Sequence, residues 1–261
     1  MNPFNEMSLE DIKNSAPSIF QTKQKANLSE HYVHIPTNKV IDDMIALGWK
    51  PCQAVEIKAR KTSTKGYQRH MIKFFNPDIV IEGTDGDNVF PQILLTNSHD
   101  GLSSFKFQIG LFRLVCSNGL VVMDTSYGDF KLRHMGYSFS ELQTKVSEAV
   151  SEFPGLVEKI NKFQNIELTD KEMNKFAKKA AEVRFGENIK VNLNELLVSE
   201  RVADEGNSLW AVFNRVQEKL IHGDCSYTMG AKVRKARAVK NFSQDLKINE
   251  ALWSLAEEFV H

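Results

Sequence analysis

The stretch "KPCQAVEIKARKTSTKGYQRHMIKFF", Lys50 to Phe75, decides how the chain folds. Its first half alternates: Val55, Ile57 and Ala59 are apolar, while Glu56, Lys58 and Arg60 are charged. A period of two marks a strand with one buried face. "STKG" then reads as a turn, and "YQRHMIKFF" as the returning strand. Two such strands joined by a short turn form an antiparallel hairpin. The β pattern continues downstream. "NPDIVIEGTDGDNVF" has a strand-like centre and a Gly/Asp loop, and "FPQILLTNS" is a third strong strand. "SSFKFQIGLFRLVCS" is a fourth, with Phe105, Phe107 and Ile109 on one face, and "NGLVVMD" is short and β-prone.

The flanks are of another kind. Upstream, "PTNKVIDDMIALGW" predicts a helix capped by Thr37 and ended by Gly48, with Val40, Ile41, Met44, Ile45 and Leu47 at helical spacing. Residues 1–35 carry scattered apolar side chains and read as an arm. Downstream, "YSFSELQTKVSEAVSEFPGLVEKINKF" predicts a long helix. Ser138 and Glu141 have capping-box spacing, and Leu142, Val146, Ala149, Phe153, Val157 and Ile160 line one face. Pro154 is expected to kink or split it. Further helices follow, one starting at Thr169 or Asp170 and stopping at Gly186, another running from Asn207 or Ser208 to about His222. Strands bunched together, then helices bunched together, define an α+β fold with a mostly antiparallel sheet of hairpins followed by long helices. The expected organisation is an arm (1–35), a sheet core with its long helix (36–165) and a mostly helical region (166–261).

Lys plus Arg number 33 and Asp plus Glu number 33, so bulk charge does not announce a nucleic-acid partner and local charge has to be read instead. The three cysteines are far apart and form no CxxC pair, which excludes a zinc ribbon or a disulfide framework and fits a reduced, cytosolic setting. No apolar run reaches the roughly 20 residues that span a bilayer, and the N-terminus does not read as a signal peptide. Motifs of P-loop, dinucleotide-binding, GxSxG or HExxH type are absent, and no cofactor is expected.

Two basic segments stand out. From Lys50 to Lys73 the cations Lys50, Lys58, Arg60, Lys61, Lys65, Arg69 and Lys73 face one acid, Glu56. Tyr67 and His70 lie among them, a mixture that suits phosphates and stacked bases; a solvated strand edge guarded by Lys and Arg is the plainer explanation. "AKVRKARAVKNF" carries Lys232, Arg234, Lys235, Arg237 and Lys240 with no acid, and is expected to spread them over one broad helical face.

The segment "LLTNSHDG" supplies another candidate. His99 and Asp100 could serve as a base and its orienter, with Ser98 or Cys116 as nucleophile. His99, Asp100, Asp124 and His134 are of metal-ligand type but lack HxH or HxxxH spacing. Asn, Ser, Asp and Gly are also turn residues, so Thr96 to Gly101 is expected chiefly to turn one strand into the next. His99 is the one residue that such a turn does not need.

The order "APSIF", "YVHIPTNKVIDDMIALGWKP", "LLTNSHDG", "GLFRLVCSNGLVV" and "NSLWAVFNRVQEKL" resembles an uncharacterised phage/plasmid-like protein family of the DUF932 type, found on phages, prophages and plasmids. The likeness covers nearly the whole chain. Its most specific parts are Asn97, Ser98, His99, Asp100 and Gly101, with Arg113, Cys116, Asn118 and Gly119. The resemblance implies a mobile-element setting in a bacterial cytoplasm and names no reaction. The hairpins-then-helix order is also similar to the single-strand annealing fold of recombination proteins. Together these give the leading expectation: a non-enzymatic nucleic-acid-binding protein, favouring single-stranded DNA and able to self-associate. Lys58, Arg60, Lys61, Lys65, Arg69, Lys73, Arg234, Lys235 and Arg237 would hold phosphates, and Tyr67 or His70 would stack on bases. The alternatives are a metal-dependent hydrolase or nuclease around His99–Asp100, and an anti-defence protein that binds a host partner.

Overall fold

The computed structural model describes residues 4–26, 28, 32–59, 61–80, 88–113, 119–121 and 138–260, with backbone alone at 113 and 119–121. The chain forms two compact units: residues 1–114 with 125–153, and residues 115–124 with 154–261. The architecture is α+β, as expected, although the first strand ends at Glu56, so that most of the expected Val55–Arg60 alternation lies beyond it.

In the first unit, helices α1 (Leu9–Ser15) and α2 (Thr37–Ala46) precede strands β1 (Lys50–Glu56), β2 (His70–Phe75), β3 (Val89–Asn97) and β4 (Lys106–Arg113). The strands pair antiparallel in sequence order. Directly opposed residues share a face, so Ala54, Ile72, Leu95 and Phe107 form one buried row across the sheet. The central strand β3 is buried at all nine positions, which places cover on both of its faces. α1 and α2 pack on β1 and contribute Ile12, Val40, Ile41 and Met44 to the core. The N-terminal segment lies against this body: Phe4 packs on Phe75, Phe90 and Phe112, and the Met7 amide donates to the Pro51 carbonyl at 2.8 Å.

α2 ends as expected, with Gly48 at φ 85°. Its start differs. Thr37 is the first helical residue and makes no cap, because its hydroxyl is engaged elsewhere at 2.9 and 3.0 Å. The centre of "NPDIVIEGTDGDNVF" and the "CSN" turn signal lie outside the described residues.

Short strand β5 (Gly119–Val121) belongs to the second unit. The long helix α3 (Phe139–Asn165) runs unbroken through Pro154, and the division between the units falls at that residue. The proline removes one backbone hydrogen bond, while burial of Phe153 before it and Leu156 after it keeps the flanking turns helical. On the second half Leu156 is buried and Val157 only half-buried.

The second unit continues with α4 (Asp170–Phe185), β6 (Lys190–Val191), α5 (Leu193–Leu197), α6 (Leu209–His222), strands β7 (Ser226–Met229) and β8 (Lys232–Lys235), and α7 (Phe242–Glu257). Thr169 caps α4 in a reciprocal box with Glu172, and Ser208 caps α6 through the Ala211 amide. An aromatic cluster holds the helices together: Trp253 lies 5.1 Å from Phe163 and 6.1 Å from Phe213, and Phe176 lies 5.6 Å from Phe259. Strands β6, β7 and β8 form a separate antiparallel sheet in that order.

The root of the β7–β8 hairpin depends on Gly223, at φ 85°. A Cβ there would stand 2.5 Å from the Arg237 carbonyl carbon. Gly206, at φ 88°, has nothing within 4 Å of the same position. Left-handed backbone alone costs a side chain about 1–2 kcal/mol. Urea denaturation should therefore show Gly206→Ala losing about that much, and Gly223→Ala losing clearly more. Equal losses would mean that the close approach at Gly223 is unimportant.

Candidate functional site

The expected turn at "NSHDG" is present and joins β3 to β4. Asp100 Oδ1 accepts from the Leu102 amide at 3.0 Å, an Asx turn, and Gly101 follows at φ 76°. Ser98 Oγ closes the same turn, accepting from the Ser103 amide at 3.1 Å and donating to its carbonyl at 3.3 Å. That hydroxyl is wholly buried and spent on backbone, which is no position for a nucleophile.

Behind the turn lies a buried polar cluster that sequence spacing does not disclose. His70 is opposite Asn97 in the sheet, and both point toward α2. Asn97 Nδ2 donates to the Ile35 carbonyl at 3.1 Å and to Thr37 Oγ1 at 3.0 Å, while its Oδ1 accepts from the Ser98 amide at 2.8 Å. Thr37 Oγ1 lies 2.9 Å from His70 Nε2. His70 Nδ1 lies 3.1 Å from the Gln68 carbonyl and 3.0 Å from Ser18 Oγ. A carbonyl only accepts, so Nδ1 carries a proton, and the Thr37 hydroxyl is placed to donate to Nε2. Burial favours that neutral imidazole and pushes its pKa down to about 4.

His99 caps this arrangement. Its ring centroid is 5.1 Å from that of His70 and 4.6 Å from that of His34. Its amide donates to the Tyr67 carbonyl at 3.0 Å, and its carbonyl accepts from the Lys25 amide at 2.9 Å. Burial, reinforced by the neighbouring His70 and His34 rings, takes its pKa down to about 3. Tyr32 donates to the Ser98 carbonyl at 2.9 Å. Through these bonds Ser18, Lys25, Tyr32, Ile35 and Thr37 are fixed to the end of the sheet. Among the described residues no three His, Cys, Asp or Glu side chains are placed to hold a metal ion. Cys116, Asn118, Asp124 and His134 lie outside the described residues, as does the side chain of Arg113.

The expected basic surface of the first unit is smaller than its sequence. Lys58, Lys61 and Lys65 are exposed in the loop between β1 and β2, and Tyr67 and Arg69 are half-buried. His70 and Lys73 are buried within β2 and leave that surface. Strand alternation does not expose them because β2 is covered on both faces. A stacking role for His70 is closed, since both ring nitrogens are engaged inside. Arg60 lies outside the described residues.

The second basic segment departs from expectation in kind. "AKVRKARAVKNF" is not a helix face: Lys232, Arg234 and Lys235 lie on β8, and Arg237 follows it. Gly230, at φ 63°, makes the turn. All four residues of β8 are exposed, as are Arg237 and Lys240. Exposed Met229 (52%) and Val233 (73%) accompany them. In the register Arg234 faces Tyr227 and Lys232 faces Met229. Asp224 lies 3.7 Å from Lys235. The hairpin's base is firmly held. Arg184 donates from Nη1 to the Leu220 carbonyl and from Nη2 to the Arg237 carbonyl. The Ala236 amide donates to the Cys225 carbonyl at 2.9 Å, and the Val239 amide to the Ile221 carbonyl at 2.8 Å.

A family model described as a domain of unknown function (DUF932) matches residues 26–253, so the chain belongs to that family. It is similar to two proteins of Escherichia coli (strain K12). It is 33% identical to UPF0380 protein YafZ over 256 residues, which cover 97% of this chain and 92% of YafZ. It is likewise 33% identical to UPF0380 protein YfjQ over 257 residues, with the same coverage of each chain. No solved structure matches it. No helix among the described residues is long and apolar enough to cross a membrane.

Two predictions follow from the buried cluster. Asn97→Ala removes three hydrogen bonds at a buried site, and the groups left unpaired should cost about 2–3 kcal/mol in urea denaturation. A loss under about 0.5 kcal/mol would show that the network is dispensable. The second concerns pH. His70 and His99 have folded pKa values of about 4 and about 3, below the ordinary 6.5. Between these limits the unfolded chain binds more protons, so stability falls as pH falls from about 6.5 toward 4. Stability measured at several pH values from 6.5 to 5 should decline in the natural protein and decline less steeply in His99→Gln. Identical slopes would contradict the buried, neutral ring.

Proposed function

We propose that the protein binds the phosphate backbone of nucleic acid, with the β7–β8 hairpin as its principal contact. The supporting observation is the exposure of β8 on both faces. An ordinary strand buries one face. This one presents Lys232, Arg234 and Lys235 to solvent, followed by exposed Arg237 and Lys240, around a braced root. A row of cations on a rigid support attracts a polyanion and releases its counterions on binding. Exposed Lys58, Lys61 and Lys65 give the first unit an anion-attracting loop of its own. Handling of DNA on a mobile element, in annealing, recombination or replication, is the biological setting that suits this reading.

Titration of a fluorescently labelled oligothymidylate at several salt concentrations tests it. Four neutralised phosphates on a single strand predict a log–log salt slope of about −3. Replacing Arg234, Lys235 and Arg237 together with Gln should flatten that slope by roughly 2. An absence of binding at the lowest salt would end the proposal, and an unchanged slope in the triple variant would move the contact off the hairpin.

A further inference from the structure

The hairpin carries aromatic rings as well as charge. Phe185, the last residue of α4, packs against Tyr227 of β7 with ring centroids 5.0 Å apart and planes inclined by 30°. The Arg184 guanidinium lies 4.9 Å from the Phe185 ring centre. Arg234 sits directly opposite Tyr227 in the antiparallel register, so both side chains project from one face of the hairpin. The neighbours Arg184, Phe185, Tyr227 and Arg234 run from a half-buried cation held by backbone carbonyls, through two half-buried aromatic rings, to an exposed cation.

The two ends differ. Arg184 is fixed by the Leu220 and Arg237 carbonyls, and burial lowers its pKa. Arg234 is exposed, whereas Phe185 and Tyr227 are half-buried. A core packing cluster would finish in an apolar side chain under cover. This one opens to solvent through a planar guanidinium, beside Lys232 on the strand that carries the phosphate-binding charge and Met229 opposite it on β7.

Resting on the phosphate-binding reading above, we infer that the hairpin selects unpaired nucleic-acid strands, by stacking a base against Tyr227 and Arg234 while Lys232, on the same face, holds the adjoining phosphate. A paired base has its faces covered by its neighbours in the duplex; an unpaired base offers a face to an aromatic ring or a guanidinium plane. The occupant is an anionic strand, because a second copy of the hairpin would bring Lys232, Arg234 and Lys235 against their own like charges. An acidic polypeptide would satisfy the charge and leave the ring and guanidinium face without a planar partner.

The test compares three probes of one length on the intact protein: an oligothymidylate, an abasic strand and a mixed-sequence duplex. Stacking should make the oligothymidylate bind about tenfold more tightly than the abasic strand, which has the same phosphates and no bases. Arg234→Lys keeps the charge and loses the plane. It should weaken oligothymidylate binding several-fold and leave abasic binding unchanged. Arg234 is exposed, so this variant does not threaten folding. Tyr227→Phe should retain the preference and Tyr227→Leu should lose it. If oligothymidylate and abasic strand bind equally, or if Arg234→Lys behaves as the natural protein does, the stacking inference is overturned while phosphate binding stands. Equal displacement of bound oligothymidylate by polyglutamate would overturn it in favour of an acidic polypeptide. Failure of all three probes to bind overturns the phosphate reading itself.

Discussion

Arg184 determines where the hairpin can stand. Its two carbonyl contacts tie the end of α4 to the end of α6 and to the chain leaving β8. Hydrogen bonds from a charged donor contribute about 1.5–3 kcal/mol, and these two close a loop that Gly223 allows to come near. Without that brace, strands of four residues each, exposed along β8, would have little to hold them. With it, a mobile-looking basic tract becomes a fixed rib. A rigid cationic surface loses less entropy on binding than a flexible one, which is why the brace matters to the proposed function as well as to the fold.

The first unit solves a different problem. It buries Asn97, His70 and Thr37 where water cannot satisfy them, and each must find its partners within the protein. The geometry suits a neutral His70, its Nδ1 proton directed at the Gln68 carbonyl and its Nε2 within reach of the Thr37 hydroxyl. Bonds reaching from 18, 35 and 37 across the chain then make the N-terminal segment part of the body. The "NSHDG" segment is consequently both a turn and the lid of this cluster. Asp100 and Gly101 do the turning, and Asn97 and His99 do the packing.

Much of this was legible in residue patterns. The antiparallel sheet was legible from "KPCQAVE", "HMIKFF" and "FPQILLTN", because strand propensity and burial are local properties, although β1 stops at Glu56 and most of the alternation from Val55 onward lies beyond it. Caps at Thr169 and Ser208 were equally local. Thr37 was misleading, since a hydroxyl before a helix can serve a cap or a distant histidine and only the tertiary structure decides. β8 was illegible for a sharper reason. A strand exposed on both faces has no hydrophobic period, and its cations also fit helical spacing. The signal that could have disclosed it was Gly230 between two short runs containing Tyr227, Met229 and Val233. The pairing of Phe185 with Tyr227 joins residues far apart in the chain and left no trace in either segment.

Amide chemical-shift mapping of the isotopically labelled protein, titrated with an oligothymidylate, tests the central claim most directly. The account predicts that the largest shifts fall on Tyr227 and on residues 231–240, and that they follow one saturating curve. Shifts confined to other segments, with 226–240 unmoved at saturation, would contradict it.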